Sequence, residues 1–299
     1  MHARQPALWA AATTGMLVGA AMVSTSALSS AASPASLAFL RYAIGLAMLA
    51  VPALLATWPR YRARDALAIA LLGVAQFAVL ILLLNHALAR LPASTCALVF
   101  ATMPLFTWCL AALTGRETFS PRRLAGLVLA VGGVAVLLIG STRAASGLGG
   151  AGGLGLLGGS GMAALLAATL VGAATSILYG PYMRRYPALP TSGLAMAAAV
   201  LFLALYCALQ GQPLLPVFSA GQWGHMVFIG LSSGLGYFCL LWALGRLEAS
   251  MVIAFQALGP VTAALLELAL HQRMPSTALL AAMALVLAGL LISTKAAAR

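Results

Sequence analysis

Ten long apolar stretches, separated by short runs of charges, prolines and Gly/Ser clusters, fill almost the whole of the 299-residue chain. They fall near 7–28, 34–57, 66–88, 93–114 and 122–141, then near 160–183, 190–210, 222–244, 249–270 and 276–295. Each is close to the roughly 20 residues that an α-helix needs to cross the hydrocarbon core of a bilayer. Strict apolar/polar alternation is absent, which argues against an outer-membrane barrel, whose strands alternate and run about 10 residues. The breaks carry helix-ending chemistry. Ser29-Ser30-Ala31-Ala32-Ser33-Pro34 is a polar turn closing on a proline suited to a helix start, and Gln210-Gly211-Gln212-Pro213 is another turn. Arg4 followed by an apolar run resembles a signal peptide, but the run from Pro6 to Leu28 exceeds the usual signal core and reads as a retained first helix.

The pattern repeats. A shift of 156 positions carries Ala87-Leu88-Ala89-Arg90-Leu91-Pro92-Ala93-Ser94 onto Ala243-Leu244-Gly245-Arg246-Leu247-Glu248-Ala249-Ser250. The same shift carries Pro34 onto Pro190, Pro104 onto Pro260 and Gly133 onto Gly289. The expected organisation is a first five-helix repeat over 1–145, a Gly-rich flexible linker over 146–160, and a second five-helix repeat over 161–299. Five is odd, so the second copy enters the bilayer upside down. The fold class read here is an all-α membrane protein of ten transmembrane helices in two inverted five-helix repeats, the plan of many secondary transporters.

Composition agrees. Sixty-three per cent of residues are hydrophobic and 7% are charged, against about 25% charged in soluble domains. The net charge of +12 lies in scattered arginines between the spans and not on a basic face, so no nucleic-acid partner is expected. With a cytoplasmic amino terminus, twelve of the sixteen basic residues fall on the inner side, among them Arg60, Arg122, Arg123, Arg184 and Arg185. Three fall outside, Arg90, Arg143 and Arg273, while Arg41 lies within the second span. The positive-inside rule therefore puts both termini in the cytoplasm, in a bacterial-type inner (plasma) membrane.

Catalytic chemistry is hard to build from these residues. No phosphate-binding loop, His-Glu-x-x-His or Ser/His/Asp set is present, and the chain holds four carboxylates. Cys96, Cys109, Cys207 and Cys239 lie within apolar spans without metal-ligand spacing. Neither an enzyme nor a cofactor or metal is expected. Polar groups at membrane depth are costly and so are candidates for function. Gln76 stands mid-way along the third span and Gln256 one turn before Pro260; either amide could bond a zwitterion or join two helices. His86, beside Asn85 near the outer end of the third span, is a candidate substrate or pH-sensing group, or an interfacial residue. Glu267 could couple to protons or pair with Arg273. Arg41, two turns into the second span, reads as structural. Gly15-x-x-x-Gly19 and Gly230-x-x-x-Gly234 read as close packing faces within one chain, so a monomer suffices. Pro104 and Pro260, taken as mid-helix prolines at matched positions, are candidate hinges.

The Ala-Leu-x-Arg-Leu-x-Ala-Ser element, a proline ten residues later, and Gly126, Gly132, Gly133 and Gly289 in the last helix of each half resemble the drug/metabolite transporter superfamily. The likeness is to its ten-helix branch with paired EamA domains, and within it to YddG-type aromatic amino-acid exporters. Gly115-Arg116-Glu117 resembles that family's Gly-Glu pair, whereas the second half has His271-Gln272-Arg273. The resemblance implies a basket-shaped cavity lined by the first, third, fourth, sixth, eighth and ninth helices. On those helices Phe100, Trp108, Tyr179, Tyr237 and Trp242 are candidate aromatic walls, with Ser233 beside Tyr237, the leading candidate. Trp9, Trp58 and Trp223 read as interfacial belt residues. The first span lacks an acidic residue, which argues against the proton–cation exchange of the small multidrug branch. The function expected is export of small neutral metabolites, foremost amino acids with aromatic or other apolar side chains, by alternating access. Drug or other metabolite efflux is the alternative within transporters, and an intramembrane enzyme or assembly factor the alternative outside them.

Overall fold

The computed structural model describes residues 4–55, 57–115, 159–247, 258–271 and 276–297, with parts of 120–136 and of 251–255. Every regular element among the described residues is helical. In chain order, α1 is Arg4–Leu28, α2 Pro34–Leu55 and α3 Ala63–Gly73; a π-helical turn, Val74–Val79, joins α3 to α4, Leu80–Leu88. Then come α5 (Ala93–Phe100), α6 (Met103–Leu113), α7 (Ser160–Arg185), α8 (Ala188–Leu209), α9 (Ala220–Leu244), α10 (Leu258–His271) and α11 (Thr277–Ala297). Among the described residues six helices are long and apolar enough to cross a membrane: Gln5–Leu28, Ala63–Leu88, Thr95–Leu113, Ser160–Arg185, Ala188–Leu209 and Ala220–Leu244. Shorter apolar helices lie at Pro34–Ala50, Leu258–Leu270 and Thr277–Gly289. The linker read over 146–160 lies outside the described residues, except for Gly159 and Ser160 at the start of α7.

The outer faces of these helices are apolar. Leu201, Leu205 and Leu209, one turn apart on α8, are 72%, 59% and 75% exposed. That stripe has no place in water and suits lipid.

The structure refines the helix continuity read from sequence. The stretch Ala63–Leu88 is one continuous rod, but its middle winds as a π-turn carrying Gln76 and Phe77. The fourth span is broken at Ala101 and Thr102, and the Thr102 hydroxyl donates to the Val99 carbonyl at 2.6 Å. Pro104 therefore sits in the first turn of α6 and not mid-helix. Its missing N–H falls where no intrahelical bond would form. Pro260 lies in α10, and residues 256 and 257 before it lie outside the described residues.

Small residues let the backbones meet. A Cβ on Gly15 would overlap the Phe255 carbonyl, and one on Gly19 the Gly259 carbonyl. Gly73 abuts Ala195 of α8 in the same way, while Gly230 and Gly234 of α9 close on Ile44 and Gly45 of α2. Both Gly-x-x-x-Gly faces are thus spent on contacts within the chain.

The ends of the bundle are tied by polar contacts. At one end Asn85 Nδ2 donates to the Pro34 carbonyl (3.0 Å), Ser36 Oγ to the Pro213 carbonyl (2.7 Å), and His86 Nε2 meets Ser160 Oγ (3.3 Å). At the other, Arg185 Nη1 and the Tyr186 hydroxyl both donate to Asp65 Oδ2, at 2.8 and 2.7 Å. There Tyr61 also bonds Thr191 at 3.1 Å. Asp65 stands in the first turn of α3 and Arg185 in the last turn of α7, each favoured by the helix dipole at its end. Thus α7 runs antiparallel to the α3–α4 rod.

Candidate functional site

The middle of the bundle encloses a cavity of about 710 Å³, counting the part open to the outside. Its wall comes from α1 (Thr14, Leu17, Val18, Met22), α2 (Arg41, Tyr42), the π-turn and α4 (Gln76, Phe77, Leu80), the α5–α6 break (Phe100, Met103), α7 (Ser176) and α9 (Ser232, Ser233, Gly236, Tyr237). The π-turn contributes the consecutive residues Gln76 and Phe77 to the wall, as α2 contributes Arg41 and Tyr42 and α9 contributes Gly236 and Tyr237.

The cavity has one charged side chain among the described residues, Arg41, which is 7% exposed. Its Nε donates to Ser233 Oγ at 2.6 Å, and its guanidinium lies 5.7 Å from the Tyr42 ring centre. The Ser233 hydroxyl in turn donates to the Ile229 carbonyl at 2.6 Å. Arg41 Nη1 is buried and has no hydrogen-bond partner. Next to it runs an aromatic chain: Tyr42 to Phe77 with ring centres 4.8 Å apart, Phe77 edge-on to Tyr237 at 4.1 Å, and Tyr237 to Tyr179 at 6.3 Å. The buried Tyr237 and Tyr179 hydroxyls lack well-formed hydrogen bonds. Gln76 accepts a hydrogen bond from Thr175, and Thr14 donates to the Gly236 carbonyl at 3.0 Å. A Cβ added at Gly236 would meet only Leu17, at 3.7 Å, so this part of the wall has room for a side chain.

Of the residues singled out from sequence, the structure brings Gln76, Phe100, Ser233 and Tyr237 together on this wall. Tyr179 stands one layer behind, edge-on to Tyr237 and 2% exposed. Trp108 is buried in α6 away from the cavity. Trp242 lies at the far end of α9 with its ring 4.1 Å from the Arg246 guanidinium. His86 is at the bundle end on Ser160. Gln256 lies outside the described residues. Sequence reasoning passed over Tyr42, Phe77, Thr14 and Ser176, and read Arg41 as structural; a cation two turns inside an apolar span was the signal that could have found it.

The site offers a guanidinium edge, hydroxyls and aromatic faces, and no group of three or more metal-ligating side chains occurs among the described residues. It can hold a small molecule with an acceptor-rich anionic head and an apolar body.

Comparison with known proteins places the chain in a family. The profile of the EamA-like transporter family matches residues 5–139 and 159–295. The probable terminal-alkyne amino-acid exporter of Streptantibioticus cattleyicolor is 29% identical over 241 residues, spanning 78% of this chain and 74% of that protein. A protein of known crystal structure shares the fold with a TM-score of 0.70 at 22% identity, over 97% of this chain and 96% of that one.

Proposed function

Because the chain belongs to the EamA-like transporter family, and is thus a multi-pass membrane transporter rather than an enzyme, we propose that it exports small amino acids with apolar or aromatic side chains from the cytoplasm. The observation that carries this reading is the cavity itself, where a buried guanidinium with a free donor adjoins the rings of Tyr42, Phe77 and Tyr237. A guanidinium pairs well with a carboxylate, and flat rings accept an apolar side chain. The relative from Streptantibioticus cattleyicolor, a probable exporter of a terminal-alkyne amino acid, supports the same class.

In this reading the chain is two inverted five-helix repeats, 1–145 and 161–299, that rock against each other across the cavity. Local structure supports the duplication. Arg90 Nη1 donates to the His86 carbonyl at 3.1 Å, and Arg246 Nη1 to the Trp242 carbonyl at 3.0 Å, the same bond in both copies of the motif. Position supports the inversion. The first copy lies against the start of α7, where Arg90 neighbours Gly161, and the second against its end, where Gly245 neighbours the Met183 carbonyl. The 26 residues of α7 separate these contacts, about 39 Å for an ideal helix. Packing follows the same exchange. As α1 packs on α9 and α10, so α7 packs on α4, α5 and α6; as α2 packs on α9, so α8 packs on α3 and the π-turn. Pro104, just past the break at Ala101 and Thr102, is the hinge proposed for the first half. The bias of arginines puts both termini in the cytoplasm of a bacterial-type inner membrane.

The test is counterflow in proteoliposomes preloaded with unlabelled amino acid. At least one apolar or aromatic amino acid should accumulate transiently above equilibrium, and background flux for every amino acid tested would refute the substrate class. Repeating the assay with an imposed proton gradient separates coupled export from facilitated diffusion.

A further inference from the structure

We infer that the cavity selects its substrate by the carboxylate and makes no demand for the α-ammonium group, so its substrates form a wider class of apolar monocarboxylates of which amino acids are one member. The inference rests on the reading of this cavity as the transport site. It comes from a charge imbalance. Arg41 is the cation on the wall, and no carboxylate stands opposite it among the described residues. Of the chain's four carboxylates, Asp65 is engaged by Arg185 and Tyr186 at the bundle end. Glu267 belongs to α10, which packs on α1 and α5, and is absent from the wall. Glu117 and Glu248 fall in the sequence between apolar stretches.

A guanidinium buried without a counter-charge is costly at membrane depth. Here the cost is offset only in part. The Ser233 proton is committed to the Ile229 carbonyl, so its oxygen can accept from Arg41 Nε, which fixes the plane of the guanidinium. Nη1 remains an unmatched buried donor. An occupant that brings a carboxylate supplies both the missing charge and the missing acceptor. A substrate ammonium finds no such match: the wall offers it ring faces and neutral oxygens, and the Gln76 amide oxygen is already engaged by Thr175. Such neutral contacts discriminate less than a charge pair.

The experiment is a ligand panel read in two ways, as competition for counterflow and as the thermal shift of purified protein in detergent. The probes are phenylalanine, 3-phenylpropionate, phenylalaninamide and phenethylamine, with leucine, 4-methylpentanoate and leucinamide as the aliphatic series. In at least one series the acid lacking the amine should match its parent amino acid within about threefold, while the amides and the amine bind at least about tenfold more weakly, the effect of one lost charged hydrogen bond. Arg41→Gln should erase that preference. If Arg41→Gln does not fold, Arg41→Lys keeps the charge without the planar fork and should weaken both acids together. Amides or amines that bind as well as the acids would overturn the inference, as would amino acids that bind while their deaminated acids do not. A thermal shift by the acids without any flux would instead refute the exporter reading and leave the carboxylate site standing. No response to any acid overturns both.

Discussion

Gly15→Leu should leave almost no folded protein. Gly15 lies where α1 crosses the segment at Phe255, so closely that even a Cβ would overlap a backbone carbonyl. A side-chain neighbour could rotate away, but a backbone neighbour cannot, and the two helices would have to separate along the contact they share. Gly19, one turn on, faces Gly259 in the same manner, so the separation would also open that crossing. Overpacking in a core typically costs about 1–3 kcal/mol, and a backbone clash at a paired crossing should exceed that range. Apolar helices in lipid gain little from the hydrophobic effect on meeting, so close van der Waals packing is most of what is lost. Size-exclusion of detergent extracts should show the monodisperse peak reduced at least about tenfold, equivalent to about 1.4 kcal/mol. Gly224→Leu is the control: nothing lies within 4 Å of its would-be Cβ, and yield should be retained.

Arg41→Gln should abolish most transport and leave the empty protein as stable as before, or more so. Removing a buried charge that lacks a counter-ion relieves a desolvation penalty, while the Ser233 bond can be replaced by the amide. A structural arginine would behave in the opposite way, since its loss would unpair Ser233 and strip the edge of Tyr42. Thermal melting without substrate, set beside the half-saturating substrate concentration, separates the two. The concentration should rise at least about tenfold with loss of one charged hydrogen bond. A lowered melting point with unchanged half-saturation would return Arg41 to a structural role.

The helices were legible because their length is a physical requirement of the bilayer. The stretches read near 160–183, 190–210 and 222–244 correspond to Ser160–Arg185, Ala188–Leu209 and Ala220–Leu244. Faces were not legible. A helix that is apolar all round carries no stripe to show which side meets lipid and which meets its neighbours. Trp108 and Tyr179 therefore sat on suitable helices yet point into packed layers, while Phe77 lines the cavity. The π-turn that carries Gln76 and Phe77 leaves no mark in Val-Ala-Gln-Phe-Ala-Val, an apolar run with one amide. Arg41 looked structural since its depth is visible in the sequence and its missing partner is not. Pro104 looked like a mid-helix kink because the break at Ala101 and Thr102 lies within an unbroken apolar run.

That the cavity is the transport site is tested most directly at Gly236. A Cβ at Gly236 meets only Leu17, at 3.7 Å, so Gly236→Ala should fit with little change, while the ring of Gly236→Phe should obstruct the cavity. Counterflow of the preferred amino acid is measured in vesicles holding equal amounts of folded wild type, Gly236→Ala and Gly236→Phe. Flux near the wild-type value for alanine and at background for phenylalanine is the expected result; undiminished flux through Gly236→Phe would place the substrate path elsewhere.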